Sequence, residues 1–147
     1  MLDRAAIAAR LPHAGRMCLL DRVLHWDERS IRCSAVSHRD HDHPLREAGG
    51  LAMLVGIEYA AQAAAVHGSL LDATPVPRSG VLAALKNVTT TRPWLHDVAG
   101  DIVVETTLLH SDATGGISTF AVFVGAERVL SGQFTLMYFD LARVSPR

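Results

Sequence analysis

The chain has 147 residues, a length that suits one domain, 1–147. A chain of that size buries roughly 68–70% of its unfolded surface and needs neither disulfide nor metal to hold a core. Its 49% hydrophobic and 20% charged residues exclude a disordered chain. A net charge of -1 with 5% aromatic residues provides neither the basic field nor the stacking platforms of a nucleic-acid binder.

The predicted elements run as follows. Residues 3–10 read as a short amphipathic helix, with Asp3 as N-cap and Pro12 as its stop. Residues 17–26 suit a strand, with Leu19, Leu20, Val23 and Leu24 apolar, and Asp27-Glu28-Arg29 form a turn. Residues 30–37 alternate, with Ile31, Cys33 and Ala35 on one face and Arg32 and Ser34 on the other, so the two runs make a hairpin. A polar loop follows at 38–44 and closes at Gly49-Gly50. The longest helical signal spans about Leu51 to Leu71, rich in alanine and apolar nearly all round, which predicts burial on several sides. Pro75 and Pro77 mark another loop, and strands are predicted at about 80–91, 101–110, 117–124 and 127–139. One buried helix against a largely antiparallel sheet is an α+β arrangement. No apolar run reaches the roughly 20 residues of a membrane span. Asp3, Arg4 and Arg10 stand where a signal peptide needs an apolar stretch, and Cys18 and Cys33 are isolated thiols, so a cytoplasmic protein is expected.

Two side chains in this pattern carry chemistry. Glu58 lies in the alanine-rich helix, and burial there favours the protonated acid, the form a general acid needs. An ordinary hydrogen-bonded core glutamate, or one on a solvated helix face, is the competing reading. Gln62 follows four residues on, on the same helix face. His43 precedes Pro44 in the loop that leads into the helix, where a general base near neutral pH is at home; a surface histidine is the alternative. His38, Asp40, His41, Asp42 and His43 together form only a weak metal pattern, with no helical histidine pair or cysteine to support it, so no metal is expected. Gly49 and Gly50 precede a helix without a GxxxxGK[ST] pattern and read as a turn.

These residues bring a family into view. Leu11-Pro12-His13 and Leu19-Leu20-Asp21-Arg22-Val23 resemble the opening "LPH…LLVDRV" segment of the hot-dog-fold 3-hydroxyacyl-[acyl-carrier-protein] dehydratases. Asp42-His43-Pro44 resembles their "GHFP" loop, Gly56-Ile57-Glu58-Tyr59-Ala60-Ala61-Gln62-Ala63 their "EAMAQ" helix, and Lys86-Asn87-Val88 through Arg92-Pro93 the strand ending in "F-x-RPV". The His-Pro-Leu and Val-Gly-Ile-Glu forms look closer still to the small dehydratases associated with aryl-polyene clusters. The sequence departs from the pattern in four places. Asp42 replaces a glycine, the phenylalanine after the histidine is absent, the loop to the helix is one residue longer, and Ala52-Met53 replaces Pro-Gly.

The resemblance implies a hot-dog fold, with a curved antiparallel sheet wrapped around one long helix, and a homodimer with shared active sites. It implies dehydration of a 3-hydroxyacyl thioester, carried on acyl carrier protein, to the trans-2-enoyl thioester, with no cofactor. His43 is then the base from one subunit and Glu58 the acid from the other. Gln62 supports the site through hydrogen bonds, and a backbone N–H near Met53 at the helix start polarises the thioester carbonyl. Met53, Leu54, Ile57 and Ala61 are candidates to line the acyl slot. Arg39, Arg46, Arg78, Lys86 and Arg92 are candidates for a basic rim toward the acidic carrier protein. A hot-dog thioesterase, using Glu58 alone to activate water, and a non-catalytic acyl-binding or scaffold subunit are the alternatives, since a fold does not dictate a function.

Overall fold

The period-two runs of the sequence form one antiparallel sheet. The computed structural model describes residues 1–11, 15–72 and 79–139. Its strands are β1 (Arg22–Trp26), β2 (Ser30–Ala35), β3 (Ser79–Thr90), β4 (Ile102–Asp112), β5 (Gly115–Val124) and β6 (Glu127–Phe139). They pair in the order β1-β2-β4-β5-β6-β3. A short helix α1 (Arg4–Ala8) is capped by the Asp3 carboxylate, which accepts from the Ala6 N–H at 3.0 Å. The long helix α2 (Gly56–Leu71) lies against β2, β4 and β5. Among the described residues no helix is long and apolar enough to cross a membrane.

Alternation decides which face of the sheet meets the helix. Ile102, Val104 and Thr106 of β4 are buried while Val103, Glu105 and Thr107 are half-buried. In register beside them stand Cys33 and Ile31 on β2 and Val122 and Phe120 on β5. Phe120 in turn stacks on Phe134 of β6, with ring centroids 5.1 Å apart and planes 12° apart. Gly132 is the residue directly opposite Phe120; a Cβ there would stand 2.9 Å from the ring, so the absent side chain makes the room for the stack.

Three predicted elements come out differently, the first for a reason in the hydrogen bonding. The strand expected over 17–26 begins at Arg22, after a 3-10 turn at Gly15–Met17. The Met17 carbonyl and the Leu19 N–H are taken by the side-chain amide of Gln62 instead of by a neighbouring strand. The strand expected over 30–37 ends at Ala35, and Ser37–Arg39 forms a 3-10 turn. The predicted long helix becomes regular at Gly56, after a 3-10 turn at Met53–Val55. Pro12, His13, Pro75, Pro77 and Arg78 lie outside the described residues.

β3 is a sheet edge twelve residues long, paired on one side by β6. Val81 and Leu85 are 49% and 47% exposed on it. A long apolar edge is a template for pairing with another chain.

His38, at the start of the polar loop, is fully buried. Its Nε2 lies 3.1 Å from the Val98 carbonyl and its Nδ1 has no hydrogen-bond partner. A carbonyl only accepts, so Nε2 carries the proton and Nδ1 stays bare. Burial holds the imidazole below its ordinary value, outweighing the Val98 contact. The unfolded chain then takes up a proton below about pH 6.5 that the folded chain refuses. The stability this neutral histidine preserves is complete above that pH and falls below it, by up to about 1.4 kcal/mol per pH unit. Urea unfolding followed from about pH 8 to pH 5 should show that slope, and a shallower one in His38→Gln, whose amide keeps a donor for Val98. Equal slopes in the two proteins would contradict this.

Candidate active site

His43 is 5% exposed, in the loop between β2 and α2. The Leu45 N–H, just past Pro44, donates to its Nδ1 at 3.0 Å, closing a tight turn by the side chain itself. Its Nε2 lies 3.0 Å from the hydroxyl of Tyr59 on α2. That hydroxyl is 2.7 Å from Ser37 Oγ, which donates to the Leu19 carbonyl at 2.8 Å. Tyr59 is fully buried, and burial pushes its phenol up to about 12, so it stays protonated at neutral pH. Sequence reasoning passed over Tyr59 and Ser37. The signal available was a single phenol on the buried side of an alanine-rich helix, since a buried tyrosine hydroxyl needs a partner.

Glu58 does not share that environment. The sequence left burial and a solvated helix face open for it, and it projects from the exposed side of α2. Residues three and four apart on a helix share a face, and Leu54, Glu58, Ala61 and Ala65 form a stripe that is exposed or half-buried, while Ile57, Tyr59, Ala60, Ala63 and Ala64 pack inward. Within one chain the two ring nitrogens of His43 meet the Leu45 N–H and the Tyr59 hydroxyl. Gln62 sits beside the stripe, half-buried. Its Oε1 accepts from the Leu19 N–H at 2.9 Å and its amide donates to the Met17 carbonyl. The glutamine therefore holds the residue whose carbonyl ends the His43–Tyr59–Ser37 series.

The helix start differs from expectation. The Met53 N–H, the anticipated carbonyl-polarising donor, donates to the Pro93 carbonyl at 2.9 Å, and the Leu51 N–H donates to His96 Nδ1 at 3.0 Å. With Nδ1 accepting, His96 Nε2 carries the proton and points it at Asp97 Oδ1, 3.1 Å away. Gly50 lies under this imidazole with φ +119, and a Cβ on it would fall 2.2 Å from His96 Cε1. Gly49-Gly50 is thus a turn, as expected, closed by reciprocal hydrogen bonds between Glu47 and Gly50. Gly50→Ala should cost about 1–3 kcal/mol and displace His96 from Leu51. A thermal melt reads the first effect and the His96 side-chain NMR signals the second; unchanged values in both would contradict the packing.

The residues expected to line an acyl slot divide. Met53 and Ile57 belong to the core, whereas Leu54, 55% exposed, and Ala61 lie on the open stripe. A cavity of about 200 Å³ lies elsewhere, between the C-terminal half of α2 and the sheet, lined by His67, Leu71, Ser118 and Leu136 among others. Of the expected basic rim, Arg92 is tied to Glu127 at 2.7 Å and Arg39 faces Asp101 at 3.8 Å. Among the described residues Arg46 and Lys86 pair with no carboxylate.

A buried histidine in a His-Pro turn, an exposed glutamate fifteen residues on, and one helix against six antiparallel strands now stand together. Residues 5–143 match the model of the ApeP-like family, described as ApeP dehydratase. The chain belongs to that family. It is therefore a dehydratase, and the resemblance to the small dehydratases of aryl-polyene clusters is borne out. A chain of the dehydratase heterocomplex ApeI:P from Xenorhabdus doucetiae has the same fold, with a TM-score of 0.81 at 20% identity over 92% of each chain. A thioesterase from Staphylococcus aureus shares it more distantly, with a TM-score of 0.60 at 9% identity over 81% of this chain and 93% of that one. AziG from S. sahachiroi has a TM-score of 0.52 at 14% identity, over 84% of this chain and 92% of that one. These likenesses establish the hot-dog fold. No curated protein matches the sequence significantly.

Proposed function

We propose that this family member dehydrates a 3-hydroxyacyl thioester on acyl carrier protein to the trans-2-enoyl thioester, in the cytoplasm, at a site completed by a second copy of the chain. The observation that carries this reading is the separation of the two groups: His43 is buried in its own chain while Glu58 projects from an uncovered helix stripe. The stripe is otherwise apolar or small, and β3 offers a long apolar edge, so both suit an interface between subunits. The unpaired thiols Cys18 and Cys33 fit a reducing compartment.

In this mechanism the thioester carbonyl acidifies the adjacent C–H, and His43 takes that proton. The electron pair forms the C=C bond as the C–O bond to the hydroxyl breaks, and Glu58 of the second subunit supplies the proton that makes the leaving group water. Covering the Glu58 carboxyl by a partner removes water and favours its neutral form, which the step requires. Negative charge building on the thioester oxygen needs an N–H at the helix start, where the dipole helps. With Leu51 and Met53 engaged, the Leu54 N–H is the donor proposed, because the first turn of a helix has no intrahelical partner for it. The exposed Leu54 side chain contributes to the acyl slot, and Arg46 and Lys86 to the carrier-protein surface.

The test is dehydration of one 3-hydroxyacyl group presented on acyl carrier protein and on coenzyme A. The reading expects turnover on both with a higher kcat/KM on the carrier protein, and loss of turnover in His43→Ala. Equal or better use of the coenzyme A thioester would remove the carrier-protein assignment, and an active His43→Ala would remove the base.

A further inference from the structure

We propose that Tyr59 is a positioning residue that fixes the proton of neutral His43 on Nε2, leaving Nδ1 as the nitrogen that takes the substrate's proton. The argument starts from the two ends of the hydrogen-bonded series, each of which has only one possible polarity. At one end the Leu19 carbonyl can only accept, so Ser37 donates its hydroxyl proton to it at 2.8 Å. Ser37 Oγ must then accept from Tyr59, 2.7 Å away, and the Tyr59 oxygen, its own proton used, accepts from His43 Nε2 at 3.0 Å. At the other end the Leu45 N–H can only donate, so His43 Nδ1 must be the lone-pair nitrogen at 3.0 Å. Both ends therefore specify the same tautomer independently.

The arrangement has a chemical consequence for the reaction proposed above, on which this inference rests. A neutral imidazole with Nε2–H turned toward Tyr59 has no lone pair on that side. The proton leaving the substrate forms its new bond to Nδ1, and the Leu45 N–H gives up its hydrogen bond as this happens. Tyr59 keeps accepting from Nε2–H throughout, and that bond strengthens when the ring becomes an imidazolium, because hydrogen bonds to charged groups are the stronger ones. Tyr59 and Gln62 both belong to α2, and Gln62 holds Leu19 in place, so the helix holds the series at its middle and at its Leu19 end.

The test reads the tautomer directly, by long-range ¹H–¹⁵N correlation of the His43 ring in the full chain at a pH where the ring is neutral, assigned by comparison with His43→Ala. The expected spectrum has Nε2 as the protonated nitrogen and Nδ1 as the unprotonated one. Tyr59→Phe, which keeps the ring volume, should shift the Nε2 signal, speed exchange of its proton with solvent, and lower kcat by about 10- to 100-fold at unchanged KM, the size of one lost hydrogen bond to a charged group. Ser37→Ala should move the same readouts in the same direction by less. A wild-type ring protonated on Nδ1, or a Tyr59→Phe spectrum identical to wild type, would overturn the proposal. The spectrum does not depend on turnover, so a wild-type protein with the expected tautomer and no dehydration would support Tyr59 as the residue that sets the tautomer and would remove the proton transfer to Nδ1 together with the reaction.

Discussion

His43→Ala and Glu58→Ala should each lower dehydration by about 10²–10⁴-fold, the usual contribution of a positioned proton donor or acceptor. Refolded together in equal amounts, they should recover about a quarter of wild-type turnover. In a symmetric dimer each site takes one residue from either subunit. A mixed dimer then has one site lacking both residues and one site lacking neither, and mixed dimers make up about half the population. The argument rests on where the two side chains lie: His43 engaged inside its own chain, Glu58 on the uncovered stripe with Leu54 and Ala61. Two inactive variants that stay inactive when mixed would contradict a site shared between copies of this chain.

Phe134→Ala should cost about 3–5 kcal/mol, the range for removing a buried phenylalanine. Phe134 is 1% exposed and stacks on Phe120 across the sheet face that meets α2. Against a usual total of about 5–15 kcal/mol, that loss leaves a much reduced margin. Denaturant midpoints at one fixed protein concentration would measure it, since subunit association also contributes to stability. A change below about 1 kcal/mol would mean that neighbouring side chains close the gap, and the account of the sheet core would be wrong.

Much of the fold could be read from local pattern, and the exceptions share a cause. β4 to β6 follow from plain alternation ended by glycine turns, because their backbone bonds go to neighbouring strands. The Met17–Leu19 segment has a strand-like pattern too, but its backbone is satisfied by Gln62, more than forty residues away, and no local signal records that. For Glu58 the sequence left burial and a solvated helix face open, because alanine fits a buried and an uncovered helix face equally well; the structure puts it on the uncovered one. The reaction class was legible from the motifs around His43 and Glu58. The series through Tyr59 and Ser37 was not, since it joins three segments that only the fold brings together. The Met53 N–H was likewise named from the resemblance alone, and the Pro93 carbonyl that takes it arrives from the chain after β3.

The most direct measurement for the whole account is hydration of a trans-2-enoyl thioester by the purified chain, the reverse of the proposed reaction, followed by both the conjugated-thioester absorbance and free thiol. The account predicts loss of the absorbance with the thioester intact, no thiol released, and both signals flat in His43→Ala. Thiol released with the double bond retained would contradict it, and would assign the site around Glu58 to thioester hydrolysis.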